Sequence, residues 1–212
     1  ATGCMKLGVM LTDDGLIAAH GIVDSKVKNH FESFAGGPPS AHQSIAVPAD
    51  VEIERLNHYL FQIAGPTALQ VLEKVTGESL RDVRFLRFRD PRINGISTEV
   101  GRIGMTAGLA YELHGPLDDG PAIYDAVYRA GQGLGIERLG WGTYLVNHVE
   151  GGFPQHTWTF VAAAPPSIRL EVMQRYQISG SVEPTNTRAR MRTPVEVGWH
   201  NMARFDHTFI GR

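Results

Sequence analysis

The stretch HYLFQIAGPTALQVLEKVTG, residues 58–77, decides the fold class. Its first half, HYLFQIAG, has the composition of a strand, and Gly65 marks where that strand stops. Pro66 suits the first turn of a helix and Gly77 suits its end. The apolar residues between them keep helical spacing: Leu69, Val71, Leu72 and Val75. A strand that runs directly into a helix predicts a mixed α and β domain.

The chain downstream of this unit continues the mixed pattern. VRFLRF (83–88) alternates and predicts a strand, INGISTEVGRI (93–103) predicts a hairpin around Asn94-Gly95, and AYELHG (110–115) predicts another strand. LDDGPAIYDAVYRAGQGLG (117–135) predicts a second helix, ended by its glycines. The order β-α-β-β-β-α is typical of a ferredoxin-like α+β unit with an added strand.

The flanking regions predict smaller elements. Residues 5–23 predict a hairpin around Asp14-Gly15, and the Pro- and Gly-rich residues 35–50 predict a loop or linker. Residues 140–154 predict a short helix. The remaining predictions are a loop over 159–168, a helix over 168–176, a polar surface loop over 180–194 and a strand pair over 193–205.

Composition bounds the function classes. The 212 residues carry a net charge of -2, which gives no electrostatic footprint for nucleic acid. No apolar run approaches the roughly 20 residues of a membrane helix, and the first residues lack the pattern of a signal peptide. The single cysteine, Cys4, excludes an internal disulfide framework. We therefore expect a cytoplasmic protein without membrane or nucleic-acid partners.

The residues alone contain almost no motif that predicts a particular chemistry. The nine histidines are scattered without HExxH or CxxC spacing, so we predict no metal site. GQGLG (131–135) ends a helix, whereas a phosphate-binding loop must begin one. The segment RIGMTAGLAYELHGP (102–116) is different, because its small residues make a weak strand that runs into a single carboxylate, Glu112.

Four blocks in order resemble the glycine-cleavage T-protein (aminomethyltransferase) family. Residues 102–112 keep the Arg, first Gly, Thr, aromatic and Glu of the family pattern R-[ST]-G-[YF]-[ST]-G-x-x-G-[FLY]-E, but have Ala107 and Ala110 in place of two glycines. Residues 140–153 fit G-x-G-A-R-D-T-L-R-L-E-A-G-M without a gap. LFQIAGPTALQVLEKVTG is similar to the family's strand-to-helix entry, and residues 193–212 to its P-x-E-x-G…F-I-G segment.

One branch of the family resembles this chain most. Tyr144 stands where T-proteins have Arg, and this residue, with FQIAGP and RFDHTFIGR, is similar to the tetrahydrofolate-dependent aryl-methyl-ether O-demethylases. Those enzymes transfer a methyl group from vanillate, syringate or 3-O-methylgallate to tetrahydrofolate. The resemblance implies tetrahydrofolate as cofactor, an aromatic methyl ether as partner and O-demethylation as the reaction.

The resemblance also implies the site residues. Glu112 would accept paired N–H donors of the pterin ring, and Gln62 would meet the ligand from the neighbouring strand. Tyr144 would hydrogen-bond or protonate the departing phenolate oxygen. Phe153 would form an aromatic wall beside the folate, and Glu150 is either structural or channel-lining.

The resemblance covers nearly the whole chain but maps to the middle of a chain about twice as long. We therefore expect a T-protein-like α+β fold truncated at both ends. Residues 1–50 would be part of a first domain and its loop, 51–138 the ferredoxin-like domain, and 139–212 a return to the first domain. Gly37 replaces an Arg that the O-demethylases carry, which leaves a second reading open: a folate-binding or repurposed module without methyl transfer. The methyl donor and the oligomeric state are not predicted.

Overall fold

The computed structural model describes residues 3–35, 50–105, 108–156, 158–164, 181–182 and 186–201. Nine strands and three α-helices lie within these ranges. The strands are β1 (Cys4–Leu11), β2 (Ile17–Val27), β3 (His30–Ala35), β4 (His58–Ala64), β5 (Phe88–Arg89), β6 (Arg92–Ile93), β7 (Ile96–Ser97), β8 (Glu99–Gly101) and β9 (Ala110–Pro116). The helices are α1 (Ala68–Thr76), α2 (Gly120–Gly131) and α3 (Trp141–Glu150). Short 3-10 turns cover Leu117–Asp119, Gln132–Leu134 and Arg188–Arg190.

A four-stranded sheet with the order β4-β9-β8-β5 forms the centre of the described fold. The pairs β4–β9, β9–β8 and β8–β5 are all antiparallel. The main buried apolar cluster joins one face of this sheet to apolar residues of α1 and α2, including Tyr59, Ile63, Val71, Leu72, Tyr111, Leu113 and Ile123. This arrangement confirms the predicted α+β class.

The 58–77 unit forms the predicted strand and helix, but the helix begins at Ala68, two residues after Pro66. Gly65 has a φ of 120°, a conformation that glycine adopts without steric cost, and lets the chain turn from β4 into α1. Gly77 ends α1 in the left-handed conformation, and its N–H donates to the carbonyl oxygen of Glu73.

Two predicted hairpin turns are also present. Thr12 and Leu16 close the turn between β1 and β2, with the Thr12 N–H donating to the Leu16 carbonyl oxygen at 2.9 Å. Asn94 and Gly95 both have positive φ, 51° and 84°, as a two-residue turn between β6 and β7 requires. In addition, the structure contains β3, which the sequence reading did not predict.

The predicted strand over 83–88 is wrong for most of its length. Leu86 has a φ of 58°, which interrupts an extended chain, so that only Phe88 and Arg89 pair with β8. Leu86 instead bridges two segments: its N–H donates to the Arg102 carbonyl oxygen, and its own carbonyl oxygen accepts from the Met5 N–H. Because these long-range backbone bonds hold Leu86 out of the extended conformation, the alternating apolar residues do not form a continuous strand here.

The predicted strand pair over 193–205 is wrong for its described part, residues 193–201, which form successive turns. Thr193 donates from both its N–H and its hydroxyl to Oε2 of Glu196, at 2.7 and 3.0 Å. These bonds lower the pKa of the Glu196 carboxyl. Thr-Pro-Val-Glu followed by Gly198 is the signal of a capped helical turn, and the alternating valines obscured it.

Other predictions lie outside the described residues. They include the helix over 168–176, most of the loop over 35–50 with Gly37, and the end of the strand pair. Residues 161–164 have no regular structure, as predicted for the loop over 159–168. No helix among the described residues is long and apolar enough to cross a membrane.

The chain divides into two compact units. The first comprises residues 1–5, 25–30 and 53–153, and the second comprises residues 6–24, 31–52 and 154–212. The first unit holds the four-stranded sheet and all three α-helices. The second contains an aromatic group in which His20 contacts His156 and Trp199, with ring centroids 4.8 and 5.1 Å apart. The predicted division at residues 50 and 138 stays a prediction.

Candidate functional site

Strand β9 sends alternate side chains to the two faces of the sheet. Tyr111 and Leu113 lie in the apolar cluster against the helices. Glu112 and His114 therefore point to the opposite face, yet they are only 6% and 2% exposed. Polar groups buried on this face are covered by other parts of the chain and require charged or hydrogen-bonding partners.

Gln62 lies directly opposite Glu112 on β4, in the antiparallel register that pairs the two strands. Cross-strand partners of this kind point to the same face of the sheet. The Oε1 atom of Gln62 is buried and has no hydrogen-bond partner within the described part of the chain. The structure thus brings together two of the predicted ligand-binding residues.

A row of charged and polar groups continues from Glu112. His114 Nε2 lies 3.3 Å from Glu112 Oε2, and His114 Nδ1 lies 3.5 Å from Glu99 Oε1. Glu99 in turn forms an ion pair with Lys26, whose ammonium group also lies 4.6 Å from the centre of the Phe88 ring. The His114 imidazole thus lies between two carboxylates, Glu112 on the same strand and Glu99 on the neighbouring strand β8. These contacts fix the orientation of the Glu112 carboxylate.

Tyr144 lies on α3, where its half-buried ring stacks on Trp141 with centroids 5.4 Å apart. Burial raises the pKa of the Tyr144 hydroxyl, and the negative charge of Glu112 raises it further. Both causes favour the neutral phenol, so the Tyr144 hydroxyl is uncharged at neutral pH and can donate a hydrogen bond.

Phe153 lies just beyond the end of α3 and faces His148, with ring centroids 6.4 Å apart. His148 also contacts Tyr144 edge-on, with centroids 4.5 Å apart. Tyr144, His148 and Phe153 therefore form a continuous aromatic row. Glu150, by contrast, is exposed on the same helix.

His148 is the residue that sequence reasoning missed as part of this group. Its separation of four residues from Tyr144 places both on one face of a helix, which was the available signal.

The polar groups fit the pterin part of a folate. A carboxylate that accepts two parallel N–H donors and an amide oxygen without a partner complement the amino and ring N–H groups of a pterin. Glu112 and Gln62 would hold these groups, with Gly104 beside them: a Cβ on Gly104 would lie 3.3 Å from Gln62 Nε2. The fit rests on donor and acceptor chemistry present in this chain.

Comparison with known proteins gives the same family. The profile of the GCVT N-terminal domain matches residues 1–159, which is most of the chain. The chain belongs to this family of T-protein-like proteins, whose members are folate-dependent one-carbon transferases.

Two curated relatives are enzymes with different donors in their names. Sesamin methylene transferase of Sinomonas sp. (strain No.22) is 34% identical over 99% of this chain and 49% of its own length. Syringate O-demethylase of Sphingobium sp. (strain NBRC 103272 / SYK-6) is 30% identical over 73% of this chain and 35% of its own length. The chain therefore spans half or less of these relatives.

A solved structure supports the fold. The glycine cleavage system aminomethyltransferase T from Bartonella henselae superposes with a TM-score of 0.66, at 17% sequence identity, over 84% of this chain and 49% of that one. At this identity the likeness confirms the T-protein-like fold.

Proposed function

We propose that this chain carries the folate-binding and methyl-transfer groups of a tetrahydrofolate-dependent one-carbon transferase that demethylates an aromatic ether. The observation that carries the proposal is the cross-strand pairing of half-buried Gln62 with buried Glu112, on the sheet face opposite the core. The name of syringate O-demethylase supports this reaction, and the family and the name of sesamin methylene transferase support one-carbon transfer more generally.

Glu112 and Gln62 would bind and orient the pterin ring. A charge-assisted hydrogen bond of this kind contributes about 1.5–3 kcal/mol, and the buried setting strengthens it because water does not compete. Tetrahydrofolate bound there would supply the nitrogen that accepts the methyl group. Gln62, Glu112 and Phe153 would act mainly by positioning, since alignment of reacting atoms is a large part of such catalysis.

Tyr144 would donate a hydrogen bond or a proton to the aryl oxygen that leaves. When the ether C–O bond breaks and the methyl carbon bonds to the folate nitrogen, that nitrogen loses a proton and the aryl oxygen gains one. A phenolate is a poor leaving group unless a donor meets its developing charge. The neutral Tyr144 hydroxyl would donate a hydrogen bond to that oxygen and stabilise its developing charge.

Calorimetric titration of tetrahydrofolate into the chain tests the binding site. We expect micromolar binding by the wild type, with Glu112→Gln and Gln62→Leu each weakening it at least tenfold, the effect of about 1.4 kcal/mol. Glu137→Gln is the matched control, because Glu137 is exposed and lies outside the sheet. Wild-type affinity in Glu112→Gln would contradict the assignment of the carboxylate.

A folate-binding module without methyl transfer is the second candidate, favoured by Gly37 at the position where the O-demethylases have Arg. The two candidates separate when wild-type chain and tetrahydrofolate are incubated with 2-methoxyphenol. Formation of methyltetrahydrofolate and catechol in equal amounts supports the transferase. Folate binding with no product supports the module.

A further inference from the structure

The charged row beside Glu112 consists of side chains that are rarely buried. Glu112, His114 and Glu99 are 6%, 2% and 7% exposed. Glu99 lies directly opposite His114 in the antiparallel register of β8 and β9, and cross-strand partners point to the same face of the sheet. Ionisable groups are almost never buried this far unless they are paired, so the contacts within the row decide which charges it carries.

His114 lies between the two carboxylates of this row. Its Nε2 lies 3.3 Å from Oε2 of Glu112, and its Nδ1 lies 3.5 Å from Oε1 of Glu99. The other oxygen of Glu99, Oε2, forms the ion pair with Lys26. The strand that carries Lys26, β2, contains one more buried acidic residue, Asp24. Each ring nitrogen of His114 therefore faces a carboxylate oxygen.

Protons on both ring nitrogens satisfy these two contacts. A neutral imidazole has one donor and one acceptor nitrogen, so one of its contacts would bring a lone pair against a carboxylate oxygen. The imidazolium ion has a donor on each nitrogen and lies within ion-pair distance of both carboxylates. The charges then alternate in sign along the row. Since acidic residues outnumber Lys26 in this group, a positive His114 also reduces its excess of negative charge.

A positive His114 has a consequence for Glu112. Burial alone favours the neutral form of a carboxyl group, whereas an adjacent positive charge favours the ionised form. An ionised carboxylate has about four acceptor positions on its two oxygens, so the contact with His114 leaves positions for two parallel N–H donors. The charge on His114 therefore supplies what Glu112 needs to act as an acceptor in the candidate site.

We propose that His114 is a positioning residue that carries a proton on both ring nitrogens and holds Glu112 as an ionised, oriented acceptor for a pterin. Glu99 holds the far side of the ring. This inference rests on the proposed function and adds to it the residues that act through Glu112. His114 contacts the carboxylate and not the ligand.

The first test measures the protonation of His114 without a ligand. Nitrogen-15 spectra of the wild type at pH 7 should show one histidine ring with protons on both nitrogens, and this signal should be absent from His114→Gln. In Glu99→Gln, which keeps the size of the side chain and removes its charge, the fraction of His114 rings with two protons should fall. A single proton on the wild-type ring would overturn the proposal.

The second test measures tetrahydrofolate binding by calorimetry. His114→Phe removes both nitrogens and should weaken binding about tenfold to a hundredfold, as expected for the loss of a hydrogen bond to a charged group. His114→Gln should restore part of the affinity, because its amide N–H can donate to Glu112. Glu99→Gln should also weaken binding, and it replaces the His114 variants if they do not fold. The exposed His200→Phe is the control.

Two results of the calorimetry contradict the role of His114. Wild-type affinity in His114→Phe would show that the ring does nothing for the site. Affinity in His114→Gln no better than in His114→Phe would show that the ring acts by packing alone.

Failure of the proposed function gives a different result. A wild-type chain that does not bind tetrahydrofolate, although its His114 ring carries two protons, refutes the folate site and leaves the charge of His114 standing. A chain that binds tetrahydrofolate with a singly protonated His114 refutes the role of His114 and leaves the folate site standing.

Discussion

Tyr144 holds its hydroxyl in a half-buried position where two effects keep it protonated. Burial comes first and the Glu112 carboxylate second. A tyrosine with a raised pKa is a weaker acid and stays neutral. In the proposed function the Tyr144 hydroxyl would therefore donate a hydrogen bond to the departing phenolate oxygen.

Tyr144→Phe removes the hydroxyl and keeps the ring. We expect methyl transfer to fall by about 10²–10⁴, the usual contribution of a positioned proton donor, with tetrahydrofolate affinity changed by less than a few fold. Because the pKa of Tyr144 is raised above 10.0, the Tyr144-dependent rate should persist to at least pH 10. Rates measured from pH 7 to 10.5 check this. A rate in Tyr144→Phe equal to the wild type would remove Tyr144 from the chemistry.

Lys26 is the outer member of the charged row that ends at Glu112. In Lys26→Met the Glu99 carboxylate, 7% exposed, loses its ammonium partner. Breaking a buried pair costs about 3–5 kcal/mol, and the partial exposure of Lys26 reduces this to about 1–3 kcal/mol. Urea unfolding measures the difference. The exposed Lys6→Met is the control, and equal stability of the two variants would show that the pair contributes nothing.

At the scale of elements, β4 and β9 set the site by their register. The sequence predicts both strands, but it does not say which face of β9 is covered by helices, so Glu112 could have pointed to either side. The pairing of Gln62 with Glu112 resolves this, because both lie opposite the Tyr59, Ile63, Tyr111 and Leu113 face. Face assignment depends on contacts between distant segments, and periodicity alone does not contain it.

The wrong strand prediction over 83–88 has the same origin, whereas the wrong prediction at Thr193 has a local one. Leu86 leaves the extended conformation because of backbone bonds to Met5 and Arg102, residues about 80 positions before and 16 after it. The turn at Thr193 was predictable from its capping residues, and the alternation of valines was given too much weight. Local patterns predicted helices and tight turns well, and they predicted short strands poorly.

Gly104 determines how closely the segment before β9 approaches β4. A Cβ added there would overlap the side chain of Ala110 and press on the Gln62 amide. We expect Gly104→Ala to destabilise the chain by about 1–3 kcal/mol, as overpacking does, and to weaken tetrahydrofolate binding by displacing Gln62. Thermal unfolding and calorimetry measure the two effects. Gly133→Ala is the matched control because no atom lies within 4 Å of its added Cβ.

At the scale of the whole molecule, two buried histidines link stability to pH. Burial lowers the pKa of both His148 and His156 below the value of 6.5. Below pH 6.5 the unfolded chain binds protons that the folded chain does not, so stability is lost as pH falls. The stability is fully present above pH 6.5.

We therefore expect the free energy of unfolding to decrease below pH 6.5 by up to about 1.4 kcal/mol per pH unit for each histidine. In His156→Phe this decrease with pH should be smaller by the contribution of one proton, up to about 1.4 kcal/mol per pH unit. Urea unfolding between pH 5 and 8 measures it, with the exposed His200→Phe as control. A slope in His156→Phe equal to that of the wild type would show that His156 does not take part.

The alternation of β9 has a consequence for how this protein can change over evolutionary time. Its odd-numbered residues, Tyr111 and Leu113, pack in the apolar core, while Glu112 and His114 lie on the opposite face, where the proposed site would be. Selection for stability and selection for ligand chemistry therefore act on different positions of one short strand. Substitutions at the opposite-face positions of this seven-residue strand can therefore change ligand preference while the core positions stay the same.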